Sequence, residues 1–178
     1  MIRELEFQVL CQRHGDEVYR YAHSLLGNRA DAEDATQEVL LRLWDNLPKL
    51  NLFHLRAWIL RATRNYCLDQ IRRRANPSTP VLVDDELLDQ QPDDLASDPS
   101  RAADSVFRME QARAALRQLP ENLRSVFILY EVNGLRYREI ARTLDLPVNS
   151  VKAYLFRARE KLSKLIRKEE PWTKICCD

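Results

Sequence analysis

The sequence is poor in the residues that build metal, enzyme and membrane sites. Only three of its 178 residues are glycines, and they form no glycine-rich loop for phosphate groups. Its four cysteines contain no CxxC pair and its three histidines are scattered, so no zinc spacing is present. No apolar run approaches the ~20 residues of a membrane span, and the first residues do not resemble a signal peptide. These absences predict a cytoplasmic protein without membrane insertion, metal, cofactor or small-molecule substrate.

The cysteines and the other reactive side chains indicate no catalytic role. No nucleophile stands in a recognisable pattern with a general base, so we do not expect an enzyme. Cys11 and Cys67 are most simply small buried hydrophobic residues in a reducing compartment. Cys176 and Cys177 fit either a frayed, reduced tail or a redox- or metal-responsive pair, and the frayed tail is the simpler interpretation.

The abundant residues favour an all-α protein. Leucine, arginine, alanine and glutamate dominate a composition that is 45% hydrophobic and 31% charged. Apolar residues at helical spacing predict helices at 4–26, 31–46, 56–74, 104–119, 121–132, 134–144 and 148–168. The first stretch is one helix or two, because Gly15 fits a break. The expected organisation is two small helical domains, 1–75 and 104–168, joined by an acidic flexible linker at 76–103 and followed by a tail at 169–178.

The net charge of +1 hides three charged blocks, two basic and one acidic. Residues 56–74 hold six arginines against one aspartate, residues 76–106 hold eight acids against one arginine, and residues 136–168 hold ten cations against three acids. A basic block attracts a polyanion and an acidic block avoids it. The pattern therefore predicts two surfaces for nucleic acid, joined by a segment that DNA would repel.

Residues 134–162 have the pattern of a helix-turn-helix. Pro147 ends the short first helix, and Asn149 and Ser150 are suitable caps for the second. The side of the second helix that we expect in the core carries Val151, Leu155, Ala158 and Leu162. The other side, which fits a major groove, carries Asn149, Lys152, Ala153, Phe156, Arg157 and Glu160. The alternative is an ordinary core helix with a solvated charged face.

The helix predicted at residues 31–46 has two different sides. The residues expected in the core are Ala32, Ala35, Val39 and Leu43. The residues on the outer side are Asp34, Gln37, Glu38 and Leu41. Three polar side chains around one apolar side chain suit a protein interface. A solvated acidic helix explains the same pattern equally well.

The stretch at residues 56–74 combines aromatic rings with arginines. Trp58, Tyr66 and the nearby Phe53 are interleaved with the arginines and with Asn65. Unstacked bases lie on aromatic rings and phosphates bind arginines, so this block is typical of single-stranded nucleic-acid binding. Alternatively the rings of Trp58 and Tyr66 lie in the core and the arginines in solvent, and for Trp58 the core is the expected place.

In these motifs the chain resembles the bacterial extracytoplasmic-function (ECF) sigma factors of RNA polymerase, over residues 5–168. Residues 31–44 resemble the part of such factors that binds polymerase core. Residues 58–74 resemble the part that melts and reads the minus-ten promoter element, and residues 119–162 the part that reads the minus-thirty-five element. The resemblance implies a region 2 bundle and a region 4 helix-turn-helix in a transcription initiation factor that directs polymerase to specific promoters and helps to open the DNA.

The resemblance also implies partners and site residues. Contacts to polymerase core are implied for Asp34, Gln37, Glu38, Leu41 and Trp44. Minus-ten contacts are implied for Phe53, Arg61, Arg64, Asn65, Asp69, Arg72, Arg73 and Arg74, with Asn65 helping to hold a flipped base. Minus-thirty-five contacts are implied for Asn149, Ser150, Lys152, Tyr154, Phe156, Arg157 and Arg159. The implied partners are polymerase core through its clamp helices and beta flap, promoter DNA and an anti-sigma factor.

Two features depart from the family pattern. The loop between Trp44 and Trp58 lacks the usual Phe-Arg-Gly, although this loop forms much of the flipped-base pocket. The second helix of the helix-turn-helix has Tyr154 where a cation is frequent, so the minus-thirty-five sequence cannot be transferred from relatives. The alternative function is a stand-alone helix-turn-helix regulator that never binds polymerase. A duplex-only binder needs neither the helix at 31–46 nor the aromatic–arginine block.

Overall fold

The computed structural model describes residues 2–75 and 110–168, and the regular elements in these ranges are all helical. The helices are α1 (Ile2–Leu26), α2 (Arg29–Asn46), α3 (Leu55–Ala75), α4 (110–117), α5 (Glu121–Glu131), α6 (Tyr137–Leu144) and α7 (Val148–Lys168). Two short 3-10 turns, Leu47–Lys49 and Leu52–His54, connect α2 to α3. The all-α prediction is confirmed, and no helix in these ranges is long and apolar enough to cross a membrane. The predicted linker and tail lie outside the described residues, and so do Cys176 and Cys177.

The first helix runs without a break through Gly15, so the single-helix alternative is correct. A glycine inside a helix costs about 1 kcal/mol relative to alanine, which burial of the inner side of α1 readily outweighs. The helix ends where the sequence predicts, at Gly27, whose positive φ of 75° suits a residue without a side chain. Asn28 then caps α2, because its Oδ1 accepts a hydrogen bond from the Asp31 backbone nitrogen at 3.2 Å.

Helices α1–α3 pack together, and we call them the N-terminal bundle. The inner side predicted for α2 is confirmed, since its four residues are fully buried: Ala32, Ala35, Val39 and Leu43. Val39 and Leu43 pack with Val18 of α1 and Ile59 of α3 in one core cluster. The ring of Trp58 is partly buried against this cluster, as expected.

The two cysteines of the bundle differ in burial. Cys67 is fully buried, and burial raises the pKa of its thiol to about 12. Such a thiol does not form the reactive thiolate at neutral pH. Cys11 is only partly buried, so the expectation of a buried side chain holds for Cys67 and not for Cys11.

Helices α4–α7 form what we call the C-terminal unit, which contains the predicted helix-turn-helix. The turn passes through Asp145, which has a left-handed φ of 55°, and α7 begins at Val148. Asn149 and Ser150 therefore lie inside the first turn of α7, and the prediction that they cap it is wrong. The helix begins earlier because the backbone carbonyl of Pro147 already accepts a hydrogen bond from the Val151 backbone nitrogen, at 3.2 Å.

The N-terminal bundle and the C-terminal unit share a core. One cluster combines residues of α1 and α3 with residues of α5 and α6, among them Tyr21, Leu25, Leu60, Val126, Leu129 and Ile140. The Asn133 side-chain amide, in the turn after α5, donates to the Glu17 backbone carbonyl of α1 at 2.9 Å. This packing places α3, with its arginines, directly beside α5 and α6.

Candidate functional site

The outer side of α2 is a mixed polar and apolar surface. The side chains of Asp34, Gln37 and Leu41 are exposed, and Leu41 is 60% exposed although it is a large apolar residue. Glu38 is partly exposed and accepts a hydrogen bond from Arg42 of the next turn at 2.8 Å. These residues form one continuous surface opposite the buried side of α2. An exposed leucine rimmed by polar groups is a feature of protein-binding surfaces.

Trp44 lies between α1 and α2 rather than on this outer surface. Its ring meets Phe7 edge-on at a centroid distance of 5.1 Å, and the Arg3 guanidinium lies 4.2 Å from the ring centroid. The Arg3 guanidinium also donates to the Trp44 carbonyl at 2.5 Å. Cation–π and edge-to-face contacts of this kind hold two helices together. Within this structure Trp44 joins the end of α2 to α1.

One side of α3 and the turn before it are open to solvent. Phe53 is 94% exposed, and its backbone nitrogen donates to the Asn51 side chain at 2.9 Å, which fixes the turn. Asn65 and Arg73 are exposed, and within the described residues neither side chain makes a hydrogen bond or an ion pair. Asp69 is exposed and lies 3.5 Å from Arg72. These side chains present a ring, an amide and a cation to any partner that approaches α3.

Three other arginines of α3 bind the C-terminal unit. Arg61 donates to the backbone carbonyls of Arg142 and Thr143, at 2.7 and 2.8 Å. Arg64 donates to groups of α5, at distances of 2.9 to 3.0 Å, and these are Glu121, Asn122 and Ser125. Arg72 donates to the second oxygen of the Glu121 carboxylate at 3.0 Å.

A fourth arginine of α3 completes the network between the two parts of the chain. Arg56 donates to Glu17 of α1 at 2.6 Å and to Glu139 of α6 at 2.8 Å. Glu17 is buried, and burial alone would raise the pKa of its carboxyl group. Hydrogen bonds from His14 and Arg56 outweigh burial and lower this pKa. Glu17 is therefore a charged anchor that orients Arg56 toward α6.

Arg74 has a partner inside the N-terminal bundle. Its two terminal nitrogens donate to the two carboxylate oxygens of Asp31, at 2.7 and 2.5 Å. The two parallel hydrogen bonds have the geometry that guanidinium and carboxylate groups prefer. The pair ties the end of α3 to the start of α2, so Arg74 has a structural task here besides any contact with DNA.

Helix α7 has the two sides that the sequence predicts. Its inner stripe is buried: Val151, Leu155, Ala158 and Leu162. The opposite side is exposed: Asn149, Lys152, Ala153, Phe156, Arg157 and Glu160. Phe156 is 70% exposed, and the Arg157 side chain makes no hydrogen bond or ion pair within the described residues. This side can present cations, an amide and a ring to a DNA groove.

Two residues of α7 have different surroundings from the others predicted to bind DNA. Tyr154 is partly buried and packs against two core clusters. Arg159 donates to Glu131 of α5 at 2.6 Å, and its guanidinium lies 5.4 Å from the Tyr130 ring centroid. Residue spacing alone could not separate these two from their neighbours, because the partners come from other helices.

A shallow groove of about 600 Å³ lies between α6 and α7, and four of the side chains that line it are cationic. These cations are Arg136, Arg138, Arg142 and Lys152. The sequence prediction named only Lys152 of this set. The ten cations in residues 136–168 were the available signal, but only the crossing of the two helices shows that the arginines of α6 meet the lysine of α7.

Comparison with known proteins identifies both parts of the chain. Residues 10–76 match the family model for sigma-70 region 2, and residues 109–162 match the model for sigma-70 region 4. The chain is 32% identical over 147 residues to the ECF RNA polymerase sigma factor EcfG of Rhodopseudomonas palustris, covering 82% of this chain and 77% of that protein. This chain belongs to the ECF family of RNA polymerase sigma factors.

A second relative agrees with this membership, and a solved structure has the same fold. The sigma factor is 32% identical over 168 residues to the ECF RNA polymerase sigma factor SigE of Mycolicibacterium smegmatis, covering 92% of this chain but only 63% of that protein. It superposes with a TM-score of 0.70 on the sigma factor RpoE from Bartonella quintana, solved with the anti-sigma factor NepR. Sequence identity to RpoE is 21%, and the match covers 92% of this chain and 98% of that one. Because family models match both parts of the chain, a stand-alone helix-turn-helix regulator is not favoured.

Proposed function

We propose that the outer side of α2 is where this sigma factor binds RNA polymerase core. The observation that supports this proposal is the exposed Leu41, which is surrounded by Asp34, Gln37 and Glu38 on a helix whose opposite side is fully buried. An apolar centre with a polar rim is the usual anatomy of a protein interface. Trp44 supports this surface by holding α1 against α2, and the beta flap is a second proposed contact on polymerase.

We propose that α7 reads the minus-thirty-five element in the major groove. Lys152, Phe156 and Arg157 supply exposed groups for bases and phosphates, and Asn149 and Ser150 lie at the start of the helix. Arg138 and Arg142 join Lys152 in the groove beside α7 and are additional candidates for phosphate contacts. Tyr154 packs against the core and Arg159 binds Glu131 of α5, so both hold α7 in place.

We propose that α3 and the turn before it open the DNA and bind the minus-ten element. Phe53 offers a ring on which a base can stack, and Asn65 offers an amide to a flipped base. The arginines at 61, 64, 72, 73 and 74 and the nearby Asp69 would line the path of the strands. The sigma factor would act in the cytoplasm and have no catalytic activity of its own. An anti-sigma factor is a further proposed partner, since RpoE was solved with one.

Run-off transcription with polymerase core on genomic fragments tests the whole proposal. The expected result is transcripts that depend on both core and the sigma factor, and their start points give the promoters. Permanganate footprinting on those promoters should show melted DNA around the start points. Transcription that is identical with and without the sigma factor, on every fragment, would contradict the proposed function.

A further inference from the structure

The connection between α2 and α3 carries two large apolar side chains in solvent. Leu52 is 68% exposed and its neighbour Phe53 is 94% exposed. Both ends of the connection are anchored in the core of the N-terminal bundle, because Leu47 and Leu55 are buried there. We call residues 51–54 the apolar tip. The fold does not use these two side chains for its own core, and adjacent exposed apolar groups of this size are a feature of binding surfaces.

Hydrogen bonds within the apolar tip hold its backbone in one arrangement. The Asn51 side-chain oxygen accepts a hydrogen bond from the Phe53 backbone nitrogen at 2.9 Å. The Asn51 backbone carbonyl accepts one from the His54 backbone nitrogen, also at 2.9 Å. The Leu55 backbone nitrogen donates to the Leu52 carbonyl. A partner that covers a preorganised turn of this kind orders little additional backbone, so less entropy is lost on binding.

The charge of the surrounding sequence favours nucleic acid as the partner of the apolar tip. Residues 46–68 contain no aspartate or glutamate, whereas they contain one lysine and three arginines. The tip also leads directly into α3, whose exposed side carries Asn65 and Arg73. A cationic stretch attracts a polyanion, and the rings of its bases can cover apolar side chains. DNA therefore fits both the charge and the apolar character of this part of the chain.

The apolar tip lies too far from Asn65 for both to contact one base. Asn65 is ten residues after Leu55, so about 15 Å of helix separates it from the start of α3. A hydrogen bond needs an approach of about 3 Å. Within the tip, Leu52 and Phe53 have no hydrogen-bonding side chains, and the Asn51 side-chain oxygen is already used by the backbone. The tip can therefore stack on a base without distinguishing one base from another.

We propose that the apolar tip is a wedge that inserts Leu52 and Phe53 against an unpaired base step at the edge of opened DNA, without reading base identity. This use differs from the base-reading pocket that the family resemblance implies for the loop. The proposal rests on the proposed role of α3 in opening the DNA. Apolar side chains that insert between bases unstack them. Because this contact forms only where bases are unpaired, it favours opened over paired DNA, and Asn51 acts as a positioning residue.

The test removes the two apolar side chains and measures binding to DNA that is already open. The full chain carrying Leu52→Ala and Phe53→Ala is compared with the wild type, alone and with polymerase core. The matched control carries Leu5→Ala and Val9→Ala, at residues of α1 that are 62% and 60% exposed. Fluorescence anisotropy gives the affinity for a fluorescein-labelled duplex of mixed sequence, either fully paired or with a central mismatched bubble. Each of the four bases is placed in turn at the edge of the bubble.

The Leu52/Phe53 variant should bind the bubble about tenfold more weakly than the wild type, because stacking on a ring needs an unpaired base. Its affinity for the paired duplex should be unchanged, and the loss should be the same for all four bases. The control should match the wild type. An unchanged affinity for the bubble in both formats would overturn the wedge. A loss confined to one base would show base reading instead, and poor co-purification with core would make the tip a protein contact.

Asn51 supplies a second test of the apolar tip. Asn51→Ala should weaken bubble binding in the same base-independent way, because the Phe53 backbone nitrogen loses its partner. Asn51→Ser, which keeps a capping oxygen but has no amide, should restore most of the affinity. Equal losses for the two variants would show that the amide itself contacts DNA, and would overturn the positioning role. Run-off transcription by the wild type judges the proposed function separately, since binding to the bubble needs no promoter sequence.

Discussion

Two arginines of α7, two positions apart, have different surroundings. Arg157 projects from the exposed side, and its side chain makes no hydrogen bond or ion pair within the described residues. Arg159 is bound to Glu131 and lies near the Tyr130 ring. A guanidinium that is already paired must give up that pair to bind a base, so equal charge does not mean equal contribution to DNA binding.

Replacing Arg157 should therefore weaken DNA binding more than replacing Arg159. We expect Arg157→Ala to lower affinity for a duplex containing the minus-thirty-five element by about 1–3 kcal/mol, the usual value of a base-reading arginine. Arg159→Ala, the matched control, should have a small effect on affinity. Fluorescence anisotropy on a promoter found by run-off transcription measures both. Equal losses for the two variants would contradict the assignment of Arg157 as the reading residue.

Glu17 predicts a pH dependence of stability. Its pKa in the folded protein is lowered from 4.5, although its burial acts in the opposite direction, because His14 and Arg56 bind the charged carboxylate. A carboxyl group whose pKa is lowered by folding stabilises the fold at pH values above its pKa in the unfolded chain. This stabilisation is lost as the pH falls through the pKa of the group in the folded protein. Thermal melts between about pH 6 and pH 3 should show a steeper loss for wild type than for Glu17→Gln, which cannot titrate.

The control for this experiment is Glu33→Gln, which removes an exposed carboxylate from a surface pair with Arg29. This variant should keep the slope of the wild type, because exposed pairs contribute little to stability. If Glu17→Gln and wild type lost stability in parallel down to pH 3, Glu17 would not be the group responsible.

At the scale of elements, α2 is the clearest case of a helix with two tasks. Its alanines, Val39 and Leu43 are fully buried, so that side builds the N-terminal bundle. Among the residues of its outer side, only Glu38 has a side-chain hydrogen bond within the described ranges, accepted from Arg42, and Leu41 is exposed. Substitutions on the outer side should therefore change binding without changing the fold.

The double variant Asp34→Ala with Gln37→Ala should weaken binding to polymerase core, by roughly tenfold if both residues contact it. Its thermal stability should stay close to that of the wild type, because both side chains are exposed. Co-purification with core and a circular-dichroism melt measure the two quantities. Glu6→Ala with Gln12→Ala, an exposed acid and glutamine of α1, is the matched control. Normal recovery with core by the α2 variant would count against this surface.

At the scale of the whole molecule, the N-terminal bundle and the C-terminal unit form one closed body. One hydrophobic cluster crosses between them, and arginines of α3 fasten it at its edge. Apolar burial drives the contact, and Asn133 adds a hydrogen bond from its side-chain amide to the Glu17 backbone carbonyl at 2.9 Å.

Truncating a residue of this shared cluster should therefore destabilise the fold. We expect Leu129→Ala, at a fully buried residue of α5, to lower the free energy of unfolding by about 2–5 kcal/mol, because the change leaves a cavity in the core. Urea denaturation measures the effect. Leu52→Ala, at a leucine that is 68% exposed, is the control and should unfold close to the wild type. Equal losses for the two variants would contradict this account of the shared core.

Much of the fold and part of the site follow from the pattern of residues along the chain. The buried stripes of α2 and α7, the end of α1 at Gly27 and the exposure of Arg157 agree with the predictions. These features are local, because helical spacing and glycine conformation act within a few residues. The caps predicted for α7, Asn149 and Ser150, lie inside its first turn, because Pro147 and Asn149 both fit a helix start and spacing does not rank them.

The sequence by itself determined that this protein is helical, which sides of its helices are buried, and that it carries two basic surfaces. Periodicity and charge are properties of neighbouring residues, so they can be read along the chain. Only the tertiary structure decided which arginines are available. Arg61, Arg64, Arg72 and Arg159 look the same in sequence as Arg73 and Arg157, but their partners lie on distant helices. An ion pair between residues far apart depends on how helices pack, and no local pattern contains that information.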